Sequence, residues 1–341
     1  MLKDKEKALL LINLGSPDST EVGDVKRYLR EFLSDKRVID APWLIRKIIV
    51  EGFILPTRPA QSAEAYKTIW TDEGSPLIVI SKQLREAVQE KSNYHVALAM
   101  RYGNPSIANT LRDLQEKGIK QVHCIPLYPH YAMSSYETVV EKVKSLSYGK
   151  FSDMKFSFEP PFYLNSDYLT ALYRSIKPYT DKEFDHILFS YHGVPERHIR
   201  KSDITKSHCL QSKDCCKVQS DAHAFCYRHQ VLKTTDQIRL ILGLSEDKVS
   251  SSFQSRLGKD PWLTPFTDAV LAELPKKGIK NLLVVCPAFV SDCLETIEEI
   301  GEEGKEIFLN NGGEKFTLIP CLNTQDSFVE CISNMESALE K

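Results

Sequence analysis

The chain has 341 residues, room for one large domain or two smaller ones, with ample core and no need of staples. Its 44 lysine and arginine residues stand against 46 aspartate and glutamate residues, and the formal net charge of −2 excludes the basic field that a nucleic-acid partner requires. Nine cysteines without a secretory leader read as reduced thiols and candidate metal ligands rather than as a disulfide framework, so a cytoplasmic location is expected.

The N-terminal apolar run, Ala8 to Ile12, is too short for a spanning helix and ends in a glycine turn without a small-residue cleavage site. It is the core of a first strand, KALLLINL at 7–14. Next comes APWLIRKIIVEGFILPTRP (41–59), which sets Leu44, Ile45, Ile48, Ile49, Gly52 and Phe53 along one helical face. This is either a core helix or an apolar lip that covers a flat ligand or touches a membrane surface. Further strand-like runs are YHVALAM (94–100), KQVHCIPL (120–127), HILFSYH (186–192), KVSSSFQS (248–255) and NLLVVCP (281–287). They are apolar on both faces and separated by amphipathic helical stretches, the pattern of parallel strands sandwiched between helices. The expected class is α/β, doubly wound.

The strand ends repeat. INLGSP (12–17) matches SYHGVP (190–195), MRYG (100–103) matches QSRLG (254–258), and Pro126 leading to SSYET (134–138) matches Pro287 leading to SDCLET (291–296). Three matches in the same order predict two similar Rossmann-like units related by a pseudo-repeat, with ligands in a cleft at the carboxyl ends of the strands. The crossover is placed around EPPF (159–162), and FTLIP (316–320) with the C-terminal helix is expected to return to the first unit. The expected domains are 1–153 plus 318–341, and 154–317.

His192 ends a strand directly before a glycine, where a titratable imidazole suited to proton transfer or metal ligation can face the cleft. The competing account is a histidine satisfied by core hydrogen bonds. Glu295 stands in the first turn of a helix, and Asp292-x-x-Glu295 has capping-box spacing, so the carboxylate either caps its own helix or serves the cleft. Glu298, Glu299, Glu302 and Glu303 follow on the same helix, where i, i+4 pairs share a face and could pass cations inward, but a solvated face is the expectation for them. Cys209, Cys215, Cys216 and Cys226, with His208 and His223 among them, suggest zinc or an iron–sulfur centre. Cys124, Cys286, Cys321 and Cys331 read as core fillers, whereas Cys293 shares the helix of Glu295.

Taken together, INLGSP, the RYG element, LYPHYAMSSYET, SYHGVPERHIRKSD, SFQSRLGKDPWLTPFTD and CPAFVSDCLETIEEIGEE resemble ferrochelatases, in order along nearly the whole chain. The resemblance implies a lyase of two Rossmann-like, chelatase-type domains that inserts Fe2+ into protoporphyrin IX as the last step of heme synthesis. It implies His192 and Glu295 as the residues that bind iron or accept pyrrole protons. Leu14, Ser75, Arg101, Tyr102, Tyr131, Trp262, Phe289, Asp292 and Cys293 match porphyrin-lining positions. Ser202-Asp203 stands where relatives commonly carry Gly-Asp, and the four cysteines that follow look like the [2Fe–2S] variant found in some microbial members. Peripheral contact of 41–57 with the inner face of the membrane, and a homodimer, are the further partners this reading admits. The rival readings are a chelatase for cobalt or nickel and a non-enzymatic tetrapyrrole carrier or iron sensor.

Overall fold

The computed structural model describes residues 4–258 and 260–340. Strands β1 (Lys7–Asn13), β2 (His95–Met100), β3 (Gln121–Pro126) and β4 (Lys155–Phe158) form a parallel sheet in the order β2-β1-β3-β4. Strands β5 (His186–His192), β6 (Val249–Gln254), β7 (Asn281–Val285) and β8 (Lys315–Leu318) form a second, in the order β6-β5-β7-β8. The two sheets have the same topology. The class is α/β, and the three sequence matches occupy the carboxyl ends of corresponding strands.

In the first sheet β1 is buried along nearly its whole length, because helices cover both of its faces. Leu10, Ile12, Ala97, Ala99, Val122 and Cys124 form one core with Ile107, Leu111 and Leu114 of the helix Ile107–Glu116 and with Val139 and Val143 of the helix Thr138–Ser147. In the second, Leu188, Leu282, Val284 and Cys286 pack with Leu271, Leu274, Ile300 and Phe308.

The contacts divide the chain into two compact units. One runs to Tyr128, resumes over Met133–Pro160 and takes back the chain from Val329. The other comprises Pro129–Ala132 and Pro161–Phe328. These bounds differ from those expected at 153 and 318. β4 is a four-residue edge strand paired to β3, so the first unit extends past it. FTLIP does not return to the first unit: β8 pairs with β7, and the return begins only with the last helix. That return is tied down where Lys7 Nζ donates to the Leu339 carbonyl (2.8 Å) and Ser92 Oγ to Glu336 (2.6 Å).

The repeated glycine has a packing cause in both units. A Cβ on Gly15, whose φ is +107°, would stand 1.8 Å from the Tyr102 carbonyl oxygen beyond β2. A Cβ on Gly193 would meet the Gln254 carbonyl at 2.9 Å and the Ser255 carbonyl at 3.0 Å at the end of β6. Each central strand thus passes close under the end of its neighbour, which only a residue without a side chain permits.

The stretch at 41–57 forms the helix Trp43–Lys47, continued as a π-helix over Ile48–Ile54. Val50 and Leu55 point into the core, but Trp43 is 66 % exposed and Phe53 73 %, with Leu44, Ile45 and Ile48 also exposed. The predicted apolar face is therefore not a core face. Among the described residues no helix is long and apolar enough to cross a membrane.

Candidate active site

His192 closes β5 half-buried. Its Nδ1 lies 2.7 Å from the Gly193 carbonyl oxygen, which can only accept, so Nδ1 carries a proton and the tautomer with its lone pair on Nε2 is selected. Phe289 stands edge-on to the imidazole at 6.2 Å between ring centroids, and Trp262 packs over Gly193. The Trp262 indole is held by a bond from Nε1 to the Leu257 carbonyl (3.1 Å).

Gln254 joins the strand end to the acidic helix. Its Oε1 accepts from Ser190 Oγ (2.8 Å), and its Nε2 donates to the Glu295 carbonyl (2.9 Å). The helix Leu294–Ile297 is capped by Cys293 and Thr296: the Cys293 side chain accepts from the Thr296 amide, and Thr296 Oγ1 accepts from the Cys293 amide (3.0 Å). The capping box read for Asp292 and Glu295 is therefore shifted by one residue. Asp292 is engaged instead with Thr296 Oγ1 (3.1 Å), the Cys321 amide (3.2 Å) and Asn323 Nδ2 (2.6 Å), a latch that holds this turn. Glu295 is released from capping. Its carboxylate accepts a hydrogen bond from the Cys293 thiol, which burial and the charge of Glu295 push well above its ordinary range, so the thiol stays protonated.

A residue that sequence reasoning gave to a solvated face belongs here. The chain from Glu299 to Gly304 is π-helical, and Glu299 turns inward, where its carboxylate accepts from Ser255 Oγ (2.5 Å) and is favoured by His192 when the imidazole is protonated. Burial raises the Glu299 carboxyl above the usual range against both of these opposing influences. Glu298 is raised as well, by burial and by repulsion from Glu303, Glu299, Glu295 and Glu302. Glu302 and Glu303 are exposed as expected.

Tyr131 belongs to the same unit, its amide donating to Gln230 Oε1 (2.7 Å) and its ring edge-on to Phe225 at 5.2 Å. Leu14, Ser75, Arg101 and Tyr102 lie in the first unit. Leu14 follows β1 and accepts the Tyr102 amide on its carbonyl (2.9 Å), and Ser75 begins the helix Pro76–Lys91. Arg101 donates to Thr138 Oγ1 (2.8 Å), pairs with Asp35, and lies with its guanidinium 4.2 Å from the centroid of the fully buried Tyr102 ring. Tyr102 also donates to Asp35 (3.1 Å). Burial would raise the Asp35 carboxyl, but Thr138, the Arg37 amide, Arg101 and Tyr102 together hold it below the usual range. Asp35 carries no sequence signal, being one acid among many after an amphipathic helix.

Cys209, Cys215, Cys216 and Cys226 are all buried. Their sulfurs form a hydrogen-bonded chain in which Cys226 touches Cys209 and Cys216, and Cys216 touches Cys215. Arg228 Nη1 lies 3.5 Å from the sulfurs of both Cys215 and Cys216. Asp203 organises the start of the segment by accepting from the amides of His208 (2.9 Å) and Cys209 (2.8 Å). Among the described residues no group of three or more His, Cys, Asp or Glu side chains is placed to hold one metal ion.

The chain matches the sequence model of the family described as Ferrochelatase over residues 6–338. It is 50% identical over 329 residues to a protein named Ferrochelatase from Ectopseudomonas mendocina (strain ymp), covering 96% of each chain. It is likewise 50% identical over 331 residues to one of the same name from Opitutus terrae, again with 96% of each covered. Among solved structures it resembles SirB from Bacillus subtilis with Fe3+, at a TM-score of 0.55 and 12% identity over 98% of this chain and 96% of that one, a likeness of fold.

Glu299 generates a pH-dependent expectation. A carboxyl whose folded pKa is raised contributes stability below its unfolded value, and this is lost as pH rises through the folded value. Replacing Glu299 by glutamine removes the charge that burial opposes, so Glu299→Gln should raise the melting temperature at pH 8 relative to the parent chain. The difference should shrink towards pH 4.5, where the parent carboxyl is itself protonated, in thermal melts at the two pH values.

Residues 6–338 match the family model and relatives at 50% identity are covered almost end to end, so the chain belongs to the ferrochelatase family.

Proposed function

We propose that the chain inserts ferrous iron into protoporphyrin IX, the terminal step of protoheme synthesis. The observation that carries this reading is His192, whose Nδ1 is engaged by the Gly193 carbonyl, which leaves Nε2 for substrate, together with Glu299, whose carboxyl senses both His192 and the uncapped Glu295. A free porphyrin holds two N–H protons that must leave as the metal enters, so a base near the ring face is required. His192 Nε2 accepts a pyrrole proton, Glu295 binds the incoming Fe2+ or takes the second proton, and Glu299 adds a buried carboxyl beside the histidine. Trp262 and Phe289 offer aromatic faces for a flat ring. Leu14, Ser75, Arg101, Tyr102 and Tyr131 are assigned to porphyrin contacts by the resemblance.

Four buried, neighbouring cysteines suit the donor set of a [2Fe–2S] centre, although hydrogen bonding among them and burial raise the Cys216 and Cys226 thiols against the pull of Arg228, so the centre would have to displace their protons. Cys209, Cys215, Cys216 and Cys226 would hold it. Such a centre supplies a one-electron couple and a cross-link for the segment. The exposed apolar face of Trp43, Leu44, Ile45, Ile48 and Phe53 favours peripheral contact with a lipid surface.

Three measurements test these readings. In an anaerobic assay following protoporphyrin absorbance on addition of Fe2+, His192→Ala should lower turnover by about 10²- to 10⁴-fold. Glu295→Gln should lose turnover at an unchanged melting temperature, because Cys293 and Thr296 make the cap; absence of heme formation by the parent chain would overturn the assignment. Anaerobically purified protein should be brown and give an S = 1/2 electron paramagnetic resonance signal on reduction, whereas colourless protein containing one zinc would exclude the cluster. Trp43→Ser with Phe53→Ser should weaken co-sedimentation with phospholipid vesicles, and a parent chain that stays in the supernatant would remove the membrane contact.

A further inference from the structure

The peptide plane between His192 and Gly193 is gripped at both ends. Its N–H, on Gly193, donates to the Gln254 carbonyl (2.6 Å), and its carbonyl, on His192, accepts from the hydroxyl of Tyr227 (2.9 Å). The ladder from β5 to β7 ends at Phe189 paired with Val285, so the last three residues of the strand pair only with β6. A side-chain hydroxyl from the helix Tyr227–Leu242 stands where no further strand contact anchors the His192 carbonyl. This plane fixes the imidazole, because the Gly193 carbonyl that orients Nδ1 lies one residue further along the same chain.

We infer that Tyr227 is a positioning residue for His192. Its role rests on the proposed assignment of His192 as the base. The tyrosine is itself tightly placed: it is buried, and its ring meets His130 edge-on at 6.1 Å. His130, fully buried, is held by Thr234 Oγ1 (2.9 Å). Burial pushes the Tyr227 hydroxyl far above its ordinary range, so it remains an O–H donor throughout the working pH range. One turn along the helix, Gln230 donates to the carbonyls of His223 (3.2 Å) and Ala224 (3.0 Å) while accepting the Tyr131 amide. Cys226 immediately precedes Tyr227 at the N-cap position of its helix. The end of the cysteine segment and the anchor of His192 are thus one helical turn, which gives that segment a mechanical route to the base.

The test compares Tyr227→Phe with Tyr191→Phe. The second variant also deletes a buried hydroxyl, the partner of Thr235 Oγ1 at 2.8 Å, but not one that holds the His192 carbonyl. Tyr227→Phe should lower kcat by about 10-fold or more while KM for protoporphyrin stays within about 2-fold, the pattern of a misplaced catalytic group. Tyr191→Phe should share any loss of melting temperature and keep kcat. Amide hydrogen exchange at Gly193 should accelerate in Tyr227→Phe alone, a readout independent of turnover. Equal kcat and equal Gly193 exchange in the two variants would overturn the inference; no turnover by the parent chain would instead overturn the functional reading, with the exchange result still deciding the anchor. If Tyr227→Phe does not fold, 3-fluorotyrosine at 227 keeps ring and hydroxyl but alters the donor. A shift in kcat at fixed KM then supports the inference, and an unchanged kcat refutes it.

Discussion

The second unit depends on one close approach, the passage of Gly193 beneath the end of β6, where the Gln254 and Ser255 carbonyls occupy the space of a missing Cβ. A parallel sheet leaves the carboxyl ends of its strands to be closed by loops, and the central strand can turn out between its neighbours only if its backbone passes at contact distance. The same approach brings the Gly193 amide onto the Gln254 carbonyl and places Trp262 against the turn. His192 is therefore oriented by backbone groups whose positions follow from the sheet. The first unit repeats the device with Gly15 beneath Tyr102, where the backbone must also adopt a positive φ.

Around that turn, the assignment of hydrogen bonds decides which charges are free to act. A helix start has several unpaired amides, and an acidic residue in its first turn is ordinarily drawn to them. Here Thr296 and Cys293 satisfy each other's backbone, and Asp292 is held by Asn323, Cys321 and Thr296. Glu295 is left with the Cys293 thiol as its donor. A neutral S–H donor orients a carboxylate without cancelling its charge, as a lysine or arginine in the same place would.

The long strands were legible because their apolar runs are continuous, the mark of a sheet covered on both faces. β4 and β8 were not legible as strands of particular sheets, because KFSF and KFTL are four-residue edges, partly exposed, and a short run does not say which edge it joins. Three matched strand ends in series exposed the internal repeat, and the two identical sheet orders follow it. The candidate site was marked in the sequence at His192, where an imidazole interrupts an apolar run before a glycine. It was misread at the cap, since Asp292-x-x-Glu295 and Cys293-x-x-Thr296 have the same spacing and cysteine is a weak candidate acceptor by composition alone. Glu299 was given to a solvated face together with its three neighbours because α-helical periodicity was assumed where the backbone widens into a π-helix, which changes the residues that share a face.

That widening has an electrostatic consequence. Five glutamates between 295 and 303 would repel one another on any helix, and on a fully solvated one water would screen most of the repulsion. The π-helical turn instead sends Glu299 toward His192, where burial holds its carboxyl above the usual range and its neighbours raise Glu298 in turn. Protons taken up by such carboxyls relieve the repulsion only while no cation is present. A divalent cation relieves it more completely, because it interacts with several carboxylates at once and does not abolish their charge. The same burial that makes these acids unfavourable as bare anions would therefore strengthen their attraction for a divalent cation, which is the part the proposed function gives to this helix.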